Sequence, residues 1–238
     1  MKSPIESSRR PAAPAALCLA AVFTASLAAT PAHAGTLAGT VQFTGTPPVA
    51  KPLPVTQDVD FCGKHPILDQ AVLVSSSGGL ANVMVWVDGI PATAVAPTPN
   101  ATLANDGCRY VPHVQVVATG TKLQVKNEDP VLHNTHARFA KRDVFNFALP
   151  KQGQVLTKTL DTAGLMKVGC DAGHDWMNAY IAVFDHPYFA VSRADGTFTI
   201  ANVPAGSHQI VFWHEKLGRK TQTVTVAEGD ASVAVTYP

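Results

Sequence analysis

Cys170, His174 and Met177 fall on one short stretch, Val168-Gly-Cys-Asp-Ala-Gly-His-Asp-Trp-Met-Asn-Ala-Tyr180, just ahead of the apolar run Ile181-Ala-Val-Phe184. A thiolate, an imidazole and a thioether on one loop make a soft donor set. Sulfur ligands select copper in its reduced form, imidazole accepts both oxidation states, and a trigonal His-His-Cys set with a weak axial Met is the arrangement of mononuclear electron-transfer copper sites. The loop lacks a second histidine. Lys126-Asn-Glu-Asp-Pro-Val-Leu-His-Asn-Thr-His136 offers His133 and His136 where a strand pattern breaks at a Pro-containing turn. The competing reading is packing: a lone His or Met is more often core than ligand, and an exported Cys is more often half of a disulfide. Order, spacing and context together favour the metal.

Asn127, then His133-Asn134 after a turn, then Cys-His-Met on a late loop, resembles the cupredoxins, the small blue-copper proteins, and among them the amicyanin and plastocyanin type. The resemblance implies one mononuclear copper ion held by His133, Cys170 and His174 with Met177 as weak axial ligand. It implies that Asn134 supports the ligand loop through backbone and side-chain hydrogen bonds, and that His136 is not a ligand. It also implies that His174 reaches a surface patch and is the electron's exit. Trp176, between His174 and Met177, is expected to pack beside the copper and exclude water, or to join the surface where a redox partner docks; its alternative is simple packing under the loop. The chain departs from the pattern in placing three residues, Asp171, Ala172 and Gly173, between Cys and His where those relatives have two. Gly173 can absorb the extra residue with backbone angles closed to other residues. The three-residue spacing also matches half of the binuclear copper loop of cytochrome oxidase. That centre needs a Cys four positions before Cys170, and Met166 stands there.

The elements that must position these residues follow an export signal. Lys2, Arg9 and Arg10 precede an apolar run from Ala15 to Ala29 and a small-residue site, Ala32-His-Ala34, so residues 1–34 read as a signal peptide cleaved after Ala34. A periplasmic or secreted protein is the expectation. Cleavage removes Lys2, Arg9, Arg10 and Glu6 from 18 basic and 17 acidic side chains, leaving 15 and 16. That near-neutral balance gives no footprint for nucleic acid or a membrane surface, and no later stretch is apolar enough to span a bilayer.

Three cysteines then remain, Cys62, Cys108 and Cys170. In an oxidising compartment two should pair and one is left over. With Cys170 as the copper thiolate, Cys62 and Cys108 are the pair, closing a loop of about 47 residues worth about 4 kcal/mol in the chain-entropy model. The alternative is that either is reduced and buried.

The rest reads as strand and turn, an all-β chain. Val83-Met-Val-Trp-Val87 is continuously apolar, the mark of a strand covered on both faces. Val114, Val116, Leu123 and Val125 mark two strands around Thr119-Gly120, and from Arg138 to Gly153 the pattern lapses. A second module begins near Asp195-Gly196, a hairpin signal, and continues with period two through Phe198, Ile200, Ile210, Phe212, Val224, Val226, Val233 and Val235. Asp195 to Gly206 resembles the carboxypeptidase regulatory-like domain, a small transthyretin-like sandwich, and Gly39-Thr-Val41 fits its opening strand. The expected fold is a cupredoxin Greek-key β-sandwich over residues 80–186 plus a second small sandwich over 187–238, with 35–50 as a candidate completing segment and 51–79 as a connection.

His113, His186 and His214 are scattered at strand ends and read as hydrogen-bonded or interdomain residues. The function expected is carriage of single electrons between redox partners such as a c-type cytochrome or a periplasmic oxidoreductase. No substrate is transformed in that reading, since protein ligands fill the metal's positions. A copper-binding carrier or sensor, and an adhesive or structural two-module protein with a vestigial loop, are the alternatives.

Overall fold

The computed structural model describes residues 34–227 and 229–238. The expected signal peptide lies outside the described residues except for Ala34, which opens the first strand. In chain order the elements are β1 (Ala34–Phe43), a single helical turn α1 (Val59–Cys62), β2 (Met84–Asp88), β3 (Thr102–Asn105), β4 (Tyr110–Val111), β5 (Val114–Ala118) and β6 (Thr121–Asn127). Then come β7 (His133–Phe139), β8 (Arg142–Leu149), β9 (Val155–Leu160), β10 (Gly164–Gly169) and β11 (Asn178–Phe184). The chain closes with β12 (Phe189–Val191), β13 (Thr197–Pro204), β14 (Gly206–His214), β15 (Gly218–Val226) and β16 (Ala231–Tyr237). No helix among the described residues is long and apolar enough to cross a membrane.

Among the described residues, four sheets form two cores. The sheet ordered β5-β11-β10-β7-β8 shares one core with the sheet β4-β3-β6-β9, through residues such as Leu103, Leu123, Val125, Met166, Val168, Ile181 and Val183. The sheets β13-β1-β16 and β12-β2-β14-β15 share the other, through Leu37, Val41, Val85, Phe198, Phe212 and Val235. In this second sandwich β1 lies between antiparallel β13 and parallel β16. Its small residues are required there. A Cβ on Gly39 would meet the Phe198 ring and the Val233 carbonyl oxygen at 2.4 Å, a distance no side chain tolerates.

Two strands explain how the sandwiches join. Val83, Val85 and Val87 enter the second core, while Met84 and Trp86 turn to a seam with Val114, Tyr180, Ala182, Phe184 and Trp213. On β11 the same alternation sends Ile181 and Val183 into the first core and Ala182 and Phe184 into the seam. A strand buried on both faces has no polar side, so both runs are continuously apolar. His113, beside β5, pairs with Glu215 beyond β14 across this junction.

Three expectations need correction. The strand at 84–88, placed by the sequence reading in the copper domain, pairs with β12 and β14 of the other sandwich; apolar content tells that a strand is buried, not which neighbours hydrogen-bond to it. The lapse from Arg138 to Gly153 contains a regular strand, β8, paired along β7. It is an edge strand whose outward residues include Arg142, Asp143 and Asn146, with a register shift between Ala137 and Arg138, so the period is blurred. Asp195-Gly196 is a tight turn, with Gly196 N donating to Arg193 O at 2.9 Å, but its flanking strands enter different sheets and make no hairpin.

Candidate metal centre

Two turns at one end of the first sandwich deliver the donors. Asn127, fully buried at the end of β6, donates through Nδ2 to the carbonyls of Val131 and Leu149, at 2.9 Å each, and accepts from Asp129 N at 3.0 Å. This ties the Glu-Asp-Pro turn shut and sets His133 at the start of β7. Cys170 follows β10 directly, and the loop returns through His174, whose carbonyl accepts from Met177 N at 2.9 Å. Gly173 sits at φ +86°, the left-handed region that the extra residue demands.

Asn134 joins the two turns. Its N–H donates to Cys170 Sγ at 3.3 Å, its Oδ1 accepts from Asp171 N at 3.2 Å, and its carbonyl accepts from Tyr110 Oη at 2.5 Å. His136 is held away from the centre by Asp171 and Asp143, at 2.6 and 2.8 Å.

His133, Cys170 and His174, all buried, each offer a ligand atom within 4.8 Å of the others. The histidines are oriented from behind. His133 Nε2 lies 2.8 Å from Asp129 Oδ2 and His174 Nε2 lies 2.9 Å from Asp58 Oδ2. An ionised carboxylate can only accept, so each ring carries its proton on Nε2 and presents the Nδ1 lone pair. His174 Nδ1 lies 3.5 Å from Cys170 Sγ. His133 Nδ1 is buried and has no hydrogen-bond partner among the described residues. A buried polar atom without a partner is costly, and carboxylate–imidazole pairs of this kind are the usual outer support of metal-bound histidines. The donor set fits a copper ion.

The charges agree. Burial would raise the Cys170 pKa, but the His133 and His174 rings and the N–H groups of Asn134 and Ala172 outweigh it and bring the thiol down to about 6. Burial likewise opposes ionisation of Asp129, yet His133 and the N–H groups of Cys108 and Gly107 hold its carboxyl below the usual range. A group depressed in the folded state contributes stability above its unfolded pKa and loses it as pH falls through the folded value. For Cys170 the contribution is complete above the ordinary thiol range, declines on acidification and is gone below about 6. The ultraviolet thiolate absorbance of the metal-free protein should therefore rise with a midpoint near 6 and be missing from Cys170→Ser.

Cys62 and Cys108 are joined in a disulfide, leaving Cys170 as the free thiol among the described residues. Cys108, Asp129 and His133 also cluster, but the bonded Cys108 offers no thiolate. Trp176 is buried with its ring 5.1 Å from that of His174 and its Nε1 donating to Cys108 O at 2.9 Å. Met177 is buried at the end of the loop and lines the same shallow cavity as Cys170.

One implication of the resemblance fails. His174 is 0% exposed and does not reach the surface, because the segment bearing Asp58 lies over its outer edge. The two carboxylates were not found in the sequence. Asp129 carried a usable signal, four residues before His133 in the same turn; Asp58, in a connection 116 positions from its partner, carried none.

No family model and no curated protein matches the chain. Among solved structures, a purple cupredoxin from Nitrosopumilus maritimus is similar over 36% of this chain and all of its own, at 21% identity and TM-score 0.31. A reduced amicyanin variant matches over 42% of this chain and 98% of its own, at 18% identity and TM-score 0.31. A copper-containing nitrite reductase from Thermus scotoductus matches over 41% of this chain but only 25% of its own, at 22% identity and TM-score 0.32.

Proposed function

We propose that this chain is an exported mononuclear copper protein that carries single electrons. The observation that carries the reading is the unpartnered, buried Nδ1 of His133 beside the Cys170 thiol and the Nδ1 of His174, with both rings fixed from behind by carboxylates. Copper held there would supply a one-electron couple. The chain's own part is to keep three donors in one geometry for both oxidation states, with Met177 as the weak fourth ligand tuning the potential. Asn134 restrains the Cys170 sulfur and Trp176 excludes water. All donors come from the protein, so the reading is of a carrier and not an enzyme. Its partner is a redox protein such as a c-type cytochrome or a periplasmic oxidoreductase, met in the periplasm or outside the cell. The second sandwich is read as a carboxypeptidase regulatory-like module, with β1 as its opening strand.

Adding cupric ion to the purified protein tests this. An intense thiolate-to-copper charge-transfer band should form, bleach with reductant and reappear on oxidation, be absent from Cys170→Ser and be weakened or shifted in His133→Ala. A colourless wild type that takes up no stoichiometric copper would sink the reading. The buried edge of His174 favours a second reading, a copper carrier or sensor. Rapid loss of copper to a chelator with no reversible redox cycle would select it.

A further inference from the structure

The segment between β1 and β2 is more than a connection. The Asp58 carboxylate accepts from His174 Nε2, and Gln57 lies over Gly173, where an added Cβ would be 3.4 Å from the Gln57 side chain. Asp58 itself is fixed: its backbone is left-handed at φ 47°, and its carbonyl accepts from Phe61 N and Cys62 N, at 2.9 and 2.8 Å, in the helical turn that follows. That turn ends at Cys62, whose Sγ comes within 3.9 Å of the same His174 Nε2.

The bond to Cys108 ties this segment to the first sandwich, and Cys108 serves the other histidine as well. Cys108 N donates to Asp129 Oδ2 at 2.8 Å, and that oxygen holds His133. Cys108 O accepts from Trp176, which packs on His174. One disulfide therefore touches the supports of both rings.

Building on the copper reading above, we propose that the segment from Gln57 to Cys62 forms a disulfide-pinned cover in which Asp58 is the positioning residue of His174. With Cys62–Cys108 intact, Asp58 orients the ring, leaves Nδ1 to the metal, and closes the outer edge to solvent and to redox partners. A dithiol opens the cover. It gives up two electrons and two protons, the Cys62–Cys108 bond breaks to two thiols, and the dithiol leaves as its own cyclic disulfide. A carboxylate partner makes a metal-bound imidazole more basic, which favours the more highly charged oxidised ion. Opening the cover, or neutralising Asp58, therefore shifts the reduction potential upward and bares the His174 edge.

The test compares the wild type, the dithiol-reduced wild type, Asp58→Asn, and Asp60→Asn as a nearby charge control with no contact to the ring. In the metal-free proteins, a histidine-acylating reagent followed by peptide mass spectrometry reads the exposure of His174. We expect His174 to be protected in the wild type and Asp60→Asn, to react about tenfold faster or more after dithiol reduction, and to react faster in Asp58→Asn. In the copper-loaded proteins, the midpoint potential should rise in Asp58→Asn and hold in Asp60→Asn, with cupric affinity lower in the former by about 10–100-fold. Equal labelling of His174 in all four forms overturns the cover. An unchanged potential in Asp58→Asn with its charge-transfer band intact overturns the positioning role while leaving electron transfer standing. If the wild type forms no band, the copper reading falls, and the labelling result alone decides whether the cover stands.

Discussion

Asp129→Asn is expected to lower cupric affinity by about 10–100-fold, the range carried by outer partners of metal-bound histidines. The carboxylate accepts from three donors at once: His133 Nε2, and the N–H groups of Gly107 and Cys108, both at 2.8 Å. An amide of the same shape has only one oxygen. Two outcomes remain for the side chain, and both are harmful. If Nδ2 takes the place of Oδ1, it meets the Gly107 N–H. If Nδ2 takes the place of Oδ2, it meets the Cys108 N–H, and the His133 ring must accept at Nε2 and carry its proton on Nδ1, the atom offered to the metal. Competitive titration against a copper chelator measures the loss, and nitrogen-15 shifts of the His133 ring report the tautomer directly. Asp129→Ala should also lower the stability of the metal-free protein, because each buried donor left without a partner costs about 1–3 kcal/mol. Unchanged affinity in Asp129→Asn with a normal Nε2–H tautomer would show that the pair is not a ligand support.

Replacing both Cys62 and Cys108 by Ala should cost about 4 kcal/mol of unfolding free energy, from the loop of 46 positions released in the unfolded chain. For a domain of this size that is a fall in thermal midpoint of about 8–16 °C. The effect is expected in the metal-free protein and is read by scanning calorimetry. A single transition is the further expectation, because β2 and β11 each contribute to two apolar clusters and bind the sandwiches along one seam. Two separate transitions, with only one shifted by the double replacement, would show that the seam does not couple them.

Local chemistry made much of this protein legible. Cys170, His174 and the His133 turn could be singled out because soft donors at short spacing have few other uses. Gly173 could be assigned its backbone role because an extra residue in a tight loop has to be accommodated somewhere. The double burial of Val83 to Val87 was written in an uninterrupted apolar run. Edge strand β8 was hidden for the converse reason, since a strand with one wet side and a register shift loses its period.

What the sequence by itself determined is the grouping of Cys170, His174 and His133, the pairing of Cys62 with Cys108 and the all-β class, all of them consequences of residue type and near spacing. Only the tertiary structure decided the partners. It placed β2 in the second sandwich, set β1 between β13 and β16, and brought Asp58 from 116 positions away onto His174 so that the ring is buried instead of exposed. Strand pairing and long-range hydrogen bonds depend on which surfaces meet when two cores close together. A side chain's own chemistry says what it can bind and leaves open which distant residue will reach it.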